Sequence, residues 1–504
     1  MTQRCKIFIL PLVTKIKTSL IFAFLLPVYM IVRVYFCGMR RKRVVLEQVV
    51  METYAAEGKS LARIDGKVIF VENTIPGDVV DVLVQKNKKD WGEGIALRFH
   101  AYSSLRVEPF CQHFGVCGGC QWQMLPYEQQ LKYKQQQVAD NLRRIGKVEL
   151  PEMMPIIGAE ETTRYRNKME YTFANKRFLL PEELNNSGIS SDENVVGFHA
   201  RGFFDKVVPI IECHLQVEPT NYIRLAIWEY AKQNNLSHYD IRNHTGYLRN
   251  LLVRIARTGE IMVNIVVGYE DRATRIGLLE FIQNKFPEIT TLLYTVNPKW
   301  NDSLYDLQPK VFSGKGYIIE KLEDFKFKIS SRSFFQTNTR QGEKLYAITR
   351  EFAELDGSQT VYDLYCGTGS IGIFVSKQAK KIVGVEMVED AVADAKENGQ
   401  LNSLENAFFA VGDVIEICDD AFFEAHGRPD VVITDPPRAG MHEKLVKKLL
   451  DIEAPLIVYV SCNPATQARD LGLLDEKYKV TKIQPVDMFP HTLHIENVVQ
   501  LKLR

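Results

Sequence analysis

Five short apolar runs in the last third of the chain, TVYDLYC, KIVGVEM, AFFAVGD, DVVITDPP and LIVYVSC, alternate with amphipathic segments. This alternation is the pattern of a parallel sheet with helices on both faces. Two more strand-type runs, KVTKIQPVDM and ENVVQLKLR, end the chain without a long helix between them. The expected fold class over residues 336–504 is therefore α/β and Rossmann-like, finishing in an antiparallel pair.

A chain of 504 residues is too long for one ordinary core, and about three domains are expected. Residues 39–103 carry short β-type runs separated by Gly turns, the spacing of a small OB-like barrel. Lys86, Lys88, Lys89 and Trp91 fall at one of its hairpins, where they either grip and stack nucleic acid or form a solvated turn. Residues 104–335 mix strands such as KMEYTFANKRF with helices such as NYIRLAIWEYAKQ, as a central α+β domain would. Residues 1–38 differ from the rest. Leu20–Val32 is almost wholly apolar but shorter than the ~20 residues of a spanning helix, and it contains Pro27. The expectation is that translation begins at Met39, with a signal anchor as the alternative. The formal net charge of +1 does not announce a nucleic-acid partner, and without the five basic residues of 1–38 it is −4.

DLYCGTGSIG follows the first strand of the α/β region and opens a helix, with Gly367, Gly369 and Gly372 in dinucleotide-fingerprint spacing and Glu386 ending the next strand. Alone, this fits a nicotinamide enzyme as well. Two features favour S-adenosylmethionine. A carboxylate at Asp363 would repel a pyrophosphate but attract an ammonium and a sulfonium. The fourth strand also ends in Asp435-Pro436-Pro437-Arg438 at the sheet edge where ligands bind. Asp413 ends the third strand, placed either to reach an adenine or to cap a helix. Gln336 precedes a helix expected near Asn338, and reaches the site or simply ends a strand.

VYVSCNP puts Cys462 at the end of the fifth strand, beside the same crevice. A lone strand-end cysteine is usually a small buried hydrophobe. Here Ser461 and Asn463-Pro464 flank it as polar turn residues. Carbon 5 of uracil is too poor a nucleophile to take a methyl group unaided, and a thiolate adding at carbon 6 overcomes this. A base must then remove the carbon 5 proton, and Glu496, heading the last strand, is the candidate. Upstream, Cys111, Cys117, Cys120 and the distant Cys213 have ligand-like spacing. Thiolates bind both zinc and iron–sulfur clusters, and His113 and His214 are possible substitutes.

The combination of DLYCGTGSIG, DPPRAG, SCNP and HIENVV resembles the bacterial RNA (uracil-5-)-methyltransferase family. The cysteine loop and barrel resemble its iron–sulfur, 23S ribosomal RNA branch, which carries a TRAM barrel, and the resemblance runs from about Met39 to the C-terminus. It implies a class I methyltransferase domain with Cys462 as nucleophile and Glu496 as base. It implies Gln336, Tyr365, Ser370, Glu386, Asp413 and Asp435 as methyl-donor contacts, and a 4Fe-4S cluster on Cys111, Cys117, Cys120 and Cys213. Several relatives carry Asn where this chain has Ser370 or Asp413. The expected enzyme is a cytoplasmic monomer acting on ribosomal RNA, or else transfer RNA, without an obligate protein partner. The competing readings are an RNA cytosine-5 methyltransferase, which carries a cysteine in the fourth-strand Pro motif where DPPRAG stands here, an exocyclic-amine methyltransferase, and a non-catalytic RNA-binding assembly factor.

Overall fold

The expected C-terminal sheet forms, with seven strands. A computed structural model of the chain describes residues 44–504 except 56, 57, 181, 185 and 187; the apolar segment 1–38 and the start at Met39 lie outside the described residues. The strand order is Ala407–Val411, Lys381–Glu386, Thr360–Leu364, Val431–Thr434, Leu456–Ser461, Glu496–Leu503, Tyr478–Val486. The first five are parallel, Glu496–Leu503 is antiparallel to both its neighbours, and Tyr478–Val486 therefore runs in the direction of the first five. Because the strands are buried on both faces, successive residues feed different cores. Val361, Ile382 and Ile433 pack on one side with Phe374, and Tyr362, Val383 and Val432 pack on the other with Leu445 and Leu471. This is the class I methyltransferase sheet.

The N-terminal β domain is a six-stranded sheet, with Trp91–Ala101 pairing antiparallel to Val79–Asn87 and parallel to Lys67–Glu72. Period-two alternation turns Ile69, Val71, Val80 and Val82 into its small core. The Lys86–Trp91 segment is a hairpin tip, as expected: Lys86 pairs with Glu93 at 2.7 Å, Lys88 and Lys89 are exposed, and Trp91 is partly so. The central region is a mixed seven-stranded sheet, and helices Thr220–Gln233 and Arg272–Lys285 pack with one core of it.

Two segments upstream of residue 336 join the methyltransferase cores. The hairpin Ile318–Leu322/Phe325–Ile329 packs Phe325 and Phe327 beside Phe374 and Ile382. Helix Tyr127–Asn141 continues as a π turn, Leu142–Gly146, and packs Val138 and Leu142 against helix Pro464–Leu474. Glycine permits the closest approach there: a β-carbon on Gly472 would lie 3.0 Å from the Gly146 carbonyl oxygen.

The same helix carries a buried ion pair, Lys134 Nζ to Asp487 Oδ1 at 2.7 Å, both side chains wholly inaccessible. Lys134 also donates to the Phe489 carbonyl, and the Tyr127 hydroxyl donates to Asp487 Oδ2 at 2.8 Å. Removing one partner of such a pair leaves an uncompensated buried charge. Lys134→Met is expected to lower the unfolding free energy by about 3–5 kcal/mol in chemical denaturation. An unchanged midpoint would show that the pair contributes nothing to holding the helix on the C-terminal domain.

Candidate active site

The carboxyl ends of the parallel strands open into one cavity of about 920 Å³. Gln336, Tyr365, Ser370, Glu386, Asp413, Asp435, Cys462 and Glu496 all line it, so the eight methyl-donor and catalytic candidates come together in one place. The glycine turn has the conformation its sequence demands: Gly367 and Gly369 have φ of 53° and 77°. A β-carbon on Gly372 would lie 2.9 Å from Ile382 and 3.0 Å from Asp363, so only glycine lets the helix start this close to the strand. Tyr365, a non-glycine at φ 63°, spends backbone strain to turn the chain into the cavity.

Glu386 accepts the amides of Gly367 at 3.1 Å and Val388 at 2.9 Å, so its carboxylate is fixed at the loop. Asp413 caps the short helix Val414–Ile417 by accepting the Ile415 amide at 2.9 Å while also facing the cavity, so both readings of it hold geometrically. Gln336 sits before helix Thr339–Phe352, whose N-cap is Asn338, as expected. Ser370 Oγ lies 3.2 Å from the buried Tyr346 hydroxyl.

Asp363 lies within the strand rather than on the loop, 1% exposed. One oxygen accepts the Gly372 amide at 2.8 Å; the other is buried without a partner. Burial pushes this carboxyl up to about 7, opposed by the Gly372 amide and reinforced by Asp435 and Glu386. Burial also raises Asp435. An orphaned carboxylate oxygen in a cavity with two further acids calls for a cationic ligand. The ammonium and sulfonium of S-adenosylmethionine match that demand.

Cys462 follows strand Leu456–Ser461, half-buried rather than openly exposed. Ser461 pairs with Asn497 across the sheet, and Cys462 and Glu496, the residues just beyond that pair on the two strands, both line the cavity. Glu496 is not the solvated strand end its sequence allows: it is 7% exposed, and burial with the charge of Asp435 lifts its carboxyl well above the usual range, against Arg438. Burial first, then Glu496 and Asp435, push the Cys462 thiol up to about 11, again against Arg438. The Arg438 carbonyl accepts from Asn463 Nδ2 at 3.0 Å and Thr466 Oγ1 at 3.2 Å, which ties the Pro-Pro turn to the cysteine turn. The guanidinium lies 2.9 Å from His494 Nδ1, and burial, then Arg438, lower His494 to about 4.

The four upstream cysteines line a second cavity of about 380 Å³ together with His113 and His214. All four thiols are free, and burial raises each of them. His113 Nε2 already accepts the Ile211 amide at 3.0 Å. Among the described residues no set of three or more ligating groups converges on a single metal ion. Four sulfur donors around one cavity do fit the thiolate set of a cluster.

Sequence reasoning missed Tyr346, His494, Phe334 and Phe489. Phe334 and Phe489 line the catalytic cavity, and Phe334 is 68% exposed. Tyr346 reads as an ordinary apolar-face residue of its helix, and nothing in its spacing distinguishes it. The adjacent phenylalanines of RSFFQTN, just before Gln336, are the one signal the sequence offers.

The buried acids predict a pH dependence. Asp363 is neutral below about 7 and ionised above it, so affinity for S-adenosylmethionine should rise with pH through that value, up to about tenfold per unit for each proton released. Calorimetry in two buffers of different ionisation heat checks this, and pH-independent binding without proton release would contradict it. An acid whose folded pKa is raised stabilises the fold least when ionised, and the loss develops from about pH 4 up to about 7. Asp363→Asn should therefore stabilise the ligand-free protein at pH 8, by up to about 4 kcal/mol, while weakening donor binding.

Comparison with known proteins agrees with this geometry. The family described as tRNA (Uracil-5-)-methyltransferase matches residues 308–504, and the TRAM domain matches residues 48–97. A Bacteroides thetaiotaomicron protein described as an uncharacterized RNA methyltransferase is 52% identical over 453 residues, 89% of this chain and 100% of that one. A Porphyromonas gingivalis protein of the same description is 51% identical, covering 89% and 98%. Among solved structures, the Pyrococcus abyssi tRNA (uracil-54, C5)-methyltransferase in complex with S-adenosyl-L-homocysteine superposes with a TM-score of 0.69 at 28% identity, over 90% of this chain and all of that one. With a class I sheet, a crevice suited to a cationic methyl donor and relatives matched over their whole length, the chain belongs to the TRAM-containing RNA (uracil-5-)-methyltransferase family.

Proposed function

We propose that the enzyme methylates carbon 5 of a uridine in 23S ribosomal RNA through a covalent adduct on Cys462, with Glu496 as the base that resolves it. The observation that carries this reading is a half-buried thiol and a buried carboxyl lining the same cavity as the donor-contact candidates, close enough for the charge of Glu496 to raise the thiol. The thiolate of Cys462 bonds carbon 6 of the uracil, and the electron pair displaced toward carbon 5 makes that carbon a nucleophile. Bound S-adenosylmethionine supplies the methyl group that carbon 5 takes. Glu496, once ionised, removes the carbon 5 proton, the carbon 6–sulfur bond breaks, and the thiolate returns. The lifted carboxyl of Glu496 suits this order, since a base of raised pKa holds the abstracted proton well.

Gln336, Tyr365, Ser370, Glu386, Asp413 and Asp435 are the proposed donor contacts, with Asp363 added for the cationic end. Cys111, Cys117, Cys120 and Cys213 are the proposed ligands of a 4Fe-4S cluster, whose part is to tie the loop to the central region. Anaerobically purified protein is expected to be brown, with Cys117→Ser losing colour and solubility; stoichiometric zinc without iron would overturn the assignment. The choice of ribosomal RNA rests on that loop and on the barrel. A second reading, transfer RNA, is favoured by the superposed Pyrococcus abyssi enzyme. Mapping 5-methyluridine in both RNAs from a deletion strain decides between them. We take the enzyme to act as a cytoplasmic monomer. No helix among the described residues is long and apolar enough to cross a membrane.

The two catalytic roles separate on a denaturing gel with RNA and methyl donor. Cys462→Ala should form no protein–RNA adduct and no product, a loss of at least ~10³-fold in rate. Glu496→Gln should transfer the methyl group and then stall as a covalent complex. Turnover by Cys462→Ala would remove the thiol from the nucleophile role.

A further inference from the structure

A third cavity, about 490 Å³, lies between the barrel and the helix that runs from Tyr127 into the π turn. This volume falls within the ~300–1,000 Å³ of small-molecule and cofactor sites. The cavity shares no lining residue with the donor crevice or the cysteine cavity. Its walls include four aromatic side chains: Tyr54 and Phe70 from the barrel, Trp122 after the cysteine loop, and Tyr133 from the helix. Tyr54 packs at 5.2 Å from Trp122 and 4.6 Å, edge-on, from Tyr133, so the buried Tyr54 and Trp122 back the part-exposed Tyr133, and Tyr133 and Phe70 are the rings a base can reach. Trp122 is 1% exposed, and its indole N–H is buried with no acceptor. Two guanidiniums stand at the cavity, Arg63 and Arg144, with side chains 59% and 77% exposed.

The cavity continues into the basic hairpin of the barrel. Phe70 contacts Trp91 edge-on at 6.4 Å, and Val68, another lining residue, is the strand partner of Trp91. Lys88 and Lys89, fully at the surface, are therefore next to one end of the cavity, and Arg144 marks the other wall. Aromatic faces flanked by exposed cations are the combination that holds an unpaired nucleotide, the base stacked and the phosphates paired with the charges. Arg63 already pairs with Glu52, and Arg144 has Asp140, another lining residue, at 3.6 Å, so the exposed Lys88 and Lys89 charges are the ones that an RNA strand, with a phosphate at every residue, would chiefly neutralise.

We infer that the groove between the barrel and this helix binds an unpaired nucleotide of the RNA substrate, other than the one being methylated, with its flanking phosphates on Arg144 and the Lys88–Lys89 hairpin. The inference rests on RNA being the substrate. The helix itself links the two sites: one side carries Gln130 and Lys134 to the loop that leads into Glu496, and another carries Tyr133 and Gln137 to the groove.

The test uses the full-length protein with Cys462→Ala, so that methyl transfer plays no part, and a short single-stranded oligouridylate carrying 4-thiouridine. After irradiation, cross-linked peptides containing Phe70 or Tyr133 are expected. Adding Arg144→Glu should remove those cross-links, weaken binding about tenfold, and lower the slope of log affinity against log salt by about 1. In the otherwise native enzyme, Arg144→Glu should raise KM for RNA without changing kcat. Cross-links confined to the donor crevice and the hairpin, with Arg144→Glu binding as tightly and with the same salt slope, would overturn the groove while leaving the enzyme an RNA methyltransferase. Absence of any cross-link would instead count against RNA as the ligand.

Discussion

The buried contact of Lys134 with Asp487 fixes the segment on which the described regions meet. From Asp487 to Ile495 the chain is a connection between two strands, yet each region holds some part of it. The central region grips it through the Tyr165 hydroxyl, which donates to the Pro490 carbonyl at 3.0 Å, and through Arg166 over the Phe489 ring. The amides of Gln121 and Trp122, just past the cysteine loop, donate to the His491 carbonyl. Leu493 sits where a β-carbon on Gly58 of the barrel would be. Asn338 and Gln341, at the start of the helix after Gln336, hold the Met488 and Asp487 carbonyls at 2.9 and 2.7 Å. The segment ends at Glu496. The position of the proposed base is therefore set by contacts from three regions of the protein, and no single one of them determines it.

The crevice itself is poorly satisfied in electrostatic terms. Asp363, Asp435, Glu496 and Cys462 share a cavity whose lining also includes Arg438 and Lys444, and burial holds all four away from their charged forms. An arrangement of this kind costs stability in the empty protein and becomes favourable when a positively charged donor enters. The same burial holds the Cys462 thiol up at about 11, so the thiol rather than the thiolate is its form at neutral pH.

Much of this was legible in the sequence, because the parallel sheet writes itself as apolar runs whose last residues are the site. Glu386, Asp413, Asp435 and Cys462 could be placed at strand ends by counting, and the cavity gathers them with Gln336, Tyr365, Ser370 and Glu496. The environment of those residues was not legible. Glu496 reads as a solvated carboxylate and Cys462 as an exposed thiol, because burial depends on what the 487–495 segment and the Pro-Pro turn bring over them. The packing of the 127–146 helix and the 318–329 hairpin against the C-terminal sheet was equally hidden, since neither has a pattern that names its partner. Tyr346 and His494 touch neighbours distant in sequence, Ser370 and Arg438, and no local spacing reports such contacts.

The span of the Lys134–Asp487 contact has a consequence for how the protein is made. The two residues are 353 positions apart, and the Gln130–His491 bonds span 361. At the ~5–20 residues per second of synthesis, roughly 20 to 70 s pass between the emergence of the helix and that of its partner. During that interval the barrel and the cysteine loop exist without the segment that docks them, and Lys134 has no counter-charge to be buried with. These early regions can complete their own strands and turns, but they gain these docking contacts only once the 487–495 segment has left the ribosome. The order of synthesis thus positions the proposed catalytic base after the barrel, the central sheet and the five parallel strands, so a nascent chain that carries its donor loop is not yet an assembled enzyme.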